Sequence, residues 1–159
     1  DKQHHTTYNN PERDRKEQTL FGMLLDKKVP MVGICRGAQF LNVMSGGRMY
    51  QDVQEHCRSH PLTDLETGEV IYVTSTHHQM MLPQGQFTLV ASSLLHGRRE
   101  WYEGEVARRD YADQDIEVVY YENTNCLCFQ PHPEMFQGLS TYDGMRTYFR
   151  SLLTRYLGA

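Results

Sequence analysis

Apolar and polar positions fall into two periods along this chain. Leu20, Met23 and Leu24, with Phe21 beside them, repeat at helical spacing up to about Lys28. Asn9-Asn10-Pro11-Glu12 supplies the helix start: Asn as cap, Pro at the first position, acids in the first turn. Val29 to Ile34 is a short unbroken apolar run, the pattern of a buried parallel strand. Ala38 to Met44 predicts a second helix, with Phe40, Leu41, Val43 and Met44 available for burial and Ser45-Gly46-Gly47 as its stop. Arg48 to Val53 reads as a short extended piece, and Gln54 to Gly68 as a polar segment with turn signals. Glu69 to Ser75 alternates and is rich in β-branched residues, which predicts a strand; Phe87 to Ala91 predicts another. Leu94 to Arg109 is ambiguous, with Trp101 and Tyr102 as its strong apolar anchors. Asp115 to Tyr121 and Cys126 to Gln130 predict two strands joined by a turn at Glu122-Asn123-Thr124-Asn125. Thr141 to Leu157 predicts a closing amphipathic helix, with Tyr148, Phe149, Leu152, Leu153 and Tyr156 on one side.

The junction of the first strand and second helix carries chemistry. Gly33-Ile34-Cys35-Arg36-Gly37 has the form glycine-x-nucleophile-x-glycine of a strand-to-helix elbow, with cysteine as the nucleophile. Residues without Cβ are expected to relieve crowding in so tight a turn. The elbow would leave the thiol at a helix N-terminus, where the dipole favours thiolate. The competing reading is a buried apolar cysteine.

Two later stretches offer partners. In Phe129-Gln130-Pro131-His132-Pro133-Glu134 the prolines keep the backbone extended. Residues two apart then point the same way, so Glu134 can orient His132 and His132 can face a nucleophile. Thr74-Ser75-Thr76-His77-His78-Gln79 follows a strand, where α/β sheets bind ligands. Its adjacent histidines point to opposite sides in an extended chain, which disfavours a metal. His56-Cys57-Arg58-Ser59-His60 lacks a fourth zinc ligand and reads as a surface loop. Cys126 and Cys128 share a strand face and read as small core residues. His4-His5 reads as unstructured chain or pocket rim.

Composition narrows the class. The 159 residues suit one domain, 1–159, and 39% hydrophobic with 23% charged residues is ordinary for a globular chain. A net charge of -4 without a basic tract gives no footprint for nucleic acid, and no apolar run reaches membrane-spanning length. Four cysteines lack the density of a disulfide scaffold, so a reducing, cytoplasmic setting is expected. The chain opens on Asp1, not Met, with 17 polar residues, which suggests a fragment or processed product.

GICRGAQ, STHHQ and FQPHPE, in this order, resemble the class I glutamine amidotransferase superfamily. More narrowly they resemble its γ-glutamyl-γ-aminobutyrate hydrolase-like branch, peptidase family C26. Arg36 after the cysteine and the double histidine look like that hydrolase branch. The resemblance implies a flavodoxin-like three-layer α/β/α sandwich with a mostly parallel sheet. It implies a triad of Cys35, His132 and Glu134, with Arg36, Gln39, His77 and His78 at the substrate, and no cofactor or metal. Such an enzyme cleaves the γ-amide of glutamine or a γ-glutamyl amine through a cysteine thioester. The partners it allows are that small molecule, an ammonia-accepting synthetase and a homodimer. The alternative is a non-catalytic binding or scaffold member of the fold. Family members carry further strands and a Gly-Gly oxyanion loop upstream of the point where this chain begins, so the domain is expected to be N-terminally incomplete.

Overall fold

Asn10 starts the first helix, its side-chain oxygen accepting the Arg13 N–H at 3.1 Å ahead of Pro11, Glu12 and Asp14. The structure, a computed structural model, describes residues 3–5, 7–95, 97–111, 114–135 and 140–159. Asp1, Lys2 and Thr6 of the polar leader and His96 of the ambiguous stretch lie outside the described residues. Helix α1 (Pro11–Asp26) leads into β1 (Met31–Ile34) and α2 (Arg36–Met44). Two short strands follow, β2 (Arg48–Tyr50) and β3 (Asp52–Val53), then β4 (His60–Asp64), β5 (Val70–Val73), β6 (Met80–Leu82) and β7 (Thr88–Ser93). A hairpin of β8 (Arg98–Glu103) and β9 (Val106–Tyr111) precedes β10 (Asp115–Tyr121), β11 (Cys126–Phe129) and helix α3 (Asp143–Leu152).

Among the described residues the main sheet has six strands in the order β1-β11-β10-β7-β4-β5. Helices cover both faces, which gives three layers. On one face α1 and α2 bury Phe21, Ala38 and Leu41 against Met31, Val119, Tyr121, Cys126 and Cys128. On the other, α3 buries Met145, Tyr148 and Leu152 against Leu62, Val73, Val118, Leu127 and Phe129. Alternation along β11 sends Cys126 and Cys128 to the first core and Leu127 and Phe129 to the second.

Several sequence expectations need correction. The sheet is not mostly parallel: β1–β11 is parallel, whereas β11–β10, β10–β7, β7–β4 and β4–β5 are antiparallel. Short connections such as Glu122–Asn125 can only reverse the chain, and parallel neighbours need a crossover. The apolar face of α1 is Phe21, Leu24 and Leu25, while Leu20 and Met23 are half exposed. The polar segment 54–68 contains β4, whose hydrophobic signal is weak because it buries His60 and Asp64 as well as Leu62. Leu94 to Arg109 resolves as the β8–β9 hairpin, turning at Gly104 with φ 61°.

The β1–α2 turn separates the roles of the two elbow glycines. A Cβ on Gly33 would lie 2.3 Å from the Gly37 carbonyl oxygen and 2.6 Å from the Ala38 nitrogen, both main-chain atoms that cannot swing away. A Cβ on Gly37 would meet nothing within 4 Å. Only Gly33 therefore relieves crowding. Gly33→Ala is expected to destabilise the fold by about 1–3 kcal/mol. Gly37→Ala, inside α2, is expected to be neutral or to stabilise by up to about 1 kcal/mol. Urea melts of the two variants check this, and equal losses would contradict it.

Candidate active site

Cys35 joins β1 to α2 with φ 49° and ψ −111°, a backbone state that a side chain seldom adopts. Such strain costs about 1–3 kcal/mol and persists only where the surroundings impose it. Here the Cys35 N–H donates to Phe129 O at 3.0 Å, and Cys35 O accepts the Gln39 N–H at 3.0 Å. The half-buried thiol sits by the Arg36 N–H, and the Gln130 side chain lies nearby with its Nε2 buried and without a hydrogen-bond partner among the described residues. Burial pushes the thiol above its usual 9.0; the Arg36 N–H pulls it down, and the nearby negative charge of Glu134 pushes it up again. The helix N-terminus thus favours thiolate as expected, but burial outweighs it, and the resting cysteine is a thiol.

Parallel pairing places the end of β11 beside this elbow, Ile34 opposite Phe129. Beyond Phe129 the chain does not stay extended as expected: it bends at Pro131 and turns over 133–135, closed by the Met135 N–H on His132 O at 3.2 Å, and the His132 Nδ1–H donates to Glu134 Oε1 at 2.7 Å. The contact fixes the tautomer and leaves Nε2 as the nitrogen able to take a proton. Thr74, just past β5, anchors the His132 backbone: its Oγ1 accepts the His132 N–H at 3.2 Å and donates to His132 O at 2.9 Å.

The remaining sequence candidates separate. Gln39 is buried, and its Nε2 donates to Gln79 O at 2.9 Å and Gln130 Oε1 at 3.3 Å, next to the cysteine. His77 is buried, with Nδ1–H donating to Gln79 O at 2.9 Å, whereas the His78 side chain is exposed. The Arg36 guanidinium is taken up by α1: it reaches Glu17 at 2.7 Å and Asp14 at 2.7 Å. It therefore holds α1 against the elbow helix, and what Arg36 contributes at the cysteine is its backbone N–H.

A second set of polar residues escaped sequence reading. His56 and His60, expected in a surface loop, are buried, while Cys57 between them is exposed. They converge with His77 on Glu117 of β10, and Asp115 lies alongside, paired with Arg99 of β8 at 3.1 Å. Burial pushes Asp115 up to about 6 despite Arg99, and burial pushes His56 down to about 4 despite the carboxylate of Glu117. The signal available in the sequence was two acids, Asp115 and Glu117, within an otherwise apolar strand run. Gln130, inside the FQPHPE motif, was likewise unassigned.

Fold and site together define an α/β domain of the glutamine amidotransferase type. The chain superposes on a glutamine amidotransferase of Thermotoga maritima with TM-score 0.58 and 18% identity, over 94% of this chain and 61% of that one. The Peptidase C26 family model matches residues 1–134, and the chain belongs to that family. It is 28% identical over 144 residues to the glutamine amidotransferase-like protein YvdE of Lactococcus lactis, covering 78% of this chain and 54% of that protein. It is 29% identical over 116 residues to the carbamoyl phosphate synthase small chain of Helicobacter acinonychis, covering 72% of this chain and 27% of that protein. The chain thus spans about half of one relative and about a quarter of the other.

Two outcomes follow from these electrostatics. Cys35 alkylation by iodoacetamide is expected to rise with pH to a midpoint above 9.0, and Glu134→Gln, by removing a negative charge, to move that midpoint lower. An unmoved midpoint would mean that Glu134 lies too far away to act on the thiol. For stability, Glu117 is held below its ordinary 4.5, because the hydrogen bond from His60 and the histidines gathered around the carboxylate overcome the burial that would raise it. His60 is held above its ordinary 6.5, because Glu117 overcomes the burial that would lower it. The Glu117 contribution is present above 4.5 and lost on acidification; the His60 contribution is present below 6.5 and lost as pH rises through its raised value. His60→Gln is expected to cost about 3–5 kcal/mol, most fully between pH 4.5 and 6.5, and less at high pH, as read from denaturant melts.

Proposed function

We propose that this chain carries a cysteine amide-hydrolase site that cleaves the γ-amide of glutamine or of a γ-glutamyl amine. The observation that carries the reading is the strained Cys35 at the N-terminus of α2, beside a strand end that presents the His132–Glu134 pair. Membership of the Peptidase C26 family supports it.

The resting thiol requires a base, and His132 Nε2 takes its proton as the sulfur attacks the γ-carbonyl carbon. Glu134 holds the ring in the useful tautomer and stabilises the imidazolium. The carbonyl oxygen becomes an oxyanion, for which the Arg36 N–H, now directed at the sulfur, is a donor. Collapse breaks the carbon–nitrogen bond; His132 returns the proton to the leaving amine, and a thioester remains on Cys35. Water, deprotonated by His132, then attacks the thioester and releases glutamate and the free thiol. Gln39 and the His77-His78 loop border the substrate.

A second reading concerns the fate of the amine. Relatives include a carbamoyl phosphate synthase small chain, and a GMP synthase component from Thermoplasma acidophilum shares the fold with TM-score 0.51 and 19% identity, over 89% of this chain and 71% of that one. Those names favour a chain that releases ammonia for a synthetase partner.

Glutamate and amine release from glutamine and from γ-glutamyl amines is the deciding assay on the intact protein. Cys35→Ala is expected to abolish turnover, and His132→Ala to lower kcat by roughly 1000-fold or more. Glu134→Gln is expected to lower kcat by up to ~10,000-fold. Turnover of γ-glutamyl amines without a partner marks a hydrolase; glutamine turnover that rises when a synthetase is added marks an amidotransferase. Activity that survives Cys35→Ala refutes the reading, and absence of turnover and of Cys35 labelling leaves a binding or scaffold protein.

A further inference from the structure

Three buried histidines obey one geometric rule. His56 Nδ1 faces Gln54 O at 2.7 Å, His60 Nδ1 faces Arg58 O at 3.0 Å, and His77 Nδ1 faces Gln79 O at 2.9 Å. A carbonyl oxygen only accepts, so Nδ1 carries the hydrogen in each ring and Nε2 turns inward. The three Nε2 atoms meet one side chain. Glu117 Oε1 lies 3.0 Å from His60 and 3.5 Å from His56, and Oε2 lies 3.7 Å from His77. His60 Nε2 is within hydrogen-bond distance of a carboxylate while its Nδ1 already donates, so His60 is an imidazolium. A fully buried carboxylate without such a partner would cost several kcal/mol.

Metal binding is the obvious competitor, since His56 Nε2, His77 Nε2, Asp115 Oδ2 and Glu117 Oε2 are all buried without hydrogen-bond partners. The rings, however, surround the carboxylate instead of facing a shared point. Among the described residues the group with three donors mutually within 4.8 Å is His4, Asp52 and Glu100, at another place in the fold.

Two routes connect Glu117 to the cysteine. Its backbone oxygen accepts the Gln130 N–H at 2.9 Å, and the Gln130 side chain, its Oε1 taken by Gln39, lies near the Cys35 thiol. On the other route His77, facing Glu117, donates to Gln79 O, the same oxygen that receives Gln39 Nε2 at 2.9 Å. Gln39 and Gln130 also bond each other, which closes a ring of contacts around the nucleophile.

We propose that Glu117 is a positioning residue for the Cys35 site: a buried carboxylate that pairs with His60 and against which the His77 ring packs at 3.7 Å, so that His77 stays on Gln79 O with Gln39 and Gln130 beside the thiol. The proposal rests on the reading of Cys35 as nucleophile. The charged and titratable groups that face Glu117 are His60 of β4, His56 before it, His77 before β6, Asp115 of its own strand with its Arg99 partner from β8, and the Cys35 thiol; the hydroxyl of Ser93 from β7 donates to Oε1 at 3.3 Å.

The test compares the intact protein with Glu117→Gln and Glu117→Asp. In nitrogen-15 spectra of labelled histidine, the His60 ring is expected to carry both hydrogens at pH 6.5 and to keep them as pH rises above it; His60→Gln removes that signal, and Glu117→Gln returns it toward a neutral ring. Glu117→Gln is expected to lower kcat by about 10- to 100-fold with a smaller change in KM. It is also expected to move the Cys35 alkylation midpoint to lower pH. Glu117→Asp, which restores charge at shorter reach, is expected to recover part of both. A neutral His60 in the unsubstituted protein, an unmoved midpoint in folded Glu117→Gln, or one equivalent of zinc held by the cluster would overturn the proposal. If Glu117→Gln does not fold, His77→Gln serves instead: it should leave the His60 signal in place and alter the alkylation rate, and an unaltered rate refutes the coupling. A protein that turns over no γ-glutamyl substrate would refute the hydrolase reading, while the spectra and alkylation would still decide the role of Glu117.

Discussion

Strands β1 and β11 run parallel, with Met31 opposite Cys126 and Ile34 opposite Phe129, so both end on the same side of the sheet. Each strand then leaves the sheet at once. β1 turns into α2 through Cys35, and β11 continues through two prolines to His132 and Glu134. An antiparallel pairing would put the cysteine and the histidine at opposite ends of the sheet. The turn from β1 to α2 is possible because Gly33 lets the Gly37 carbonyl approach to a distance that no Cβ permits. The strain at Cys35 follows from the same close approach, and the Phe129 carbonyl helps to hold it in place.

Around this junction the interior divides by chemistry. Helices bury apolar side chains on both faces of the sheet, near Phe21 and Leu41 on one side and near Leu127 and Leu152 on the other. Below the cysteine lies a polar interior instead, with Glu117, three histidines, Asp115 and Arg99. A polar cluster of this kind gains little over apolar packing in stability, but each member is costly to move once the others are buried around it. A set of side chains that resists displacement suits the floor of a site where small shifts in geometry change the rate strongly.

Charge is also distributed unevenly around the thiol. Glu117 and Glu134 both oppose thiolate, and the Arg36 N–H favours it. The Arg36 guanidinium, the nearest candidate for a stabilising cation by sequence, is paired with Asp14 and Glu17 on α1. A cysteine so placed stays protonated until a base acts on it, which fits general-base activation better than a preformed thiolate.

The sequence by itself determined the local elements and the motif. The cap at Asn10, the elbow glycine before Cys35, the strands at 115–121 and 126–130 and the spacing of His132 and Glu134 all rest on neighbours within a few residues, and local chemistry is legible one residue at a time. Only the tertiary structure decided which strand lies beside which, because pairing direction depends on contacts far apart in the chain. It alone turned the Arg36 side chain toward α1, and it alone gathered His56, His60 and His77 from three places in the chain onto Glu117. A buried histidine and an exposed one are the same letter in a sequence; what separates them is whether a carboxylate from another strand arrives to hold the inward nitrogen.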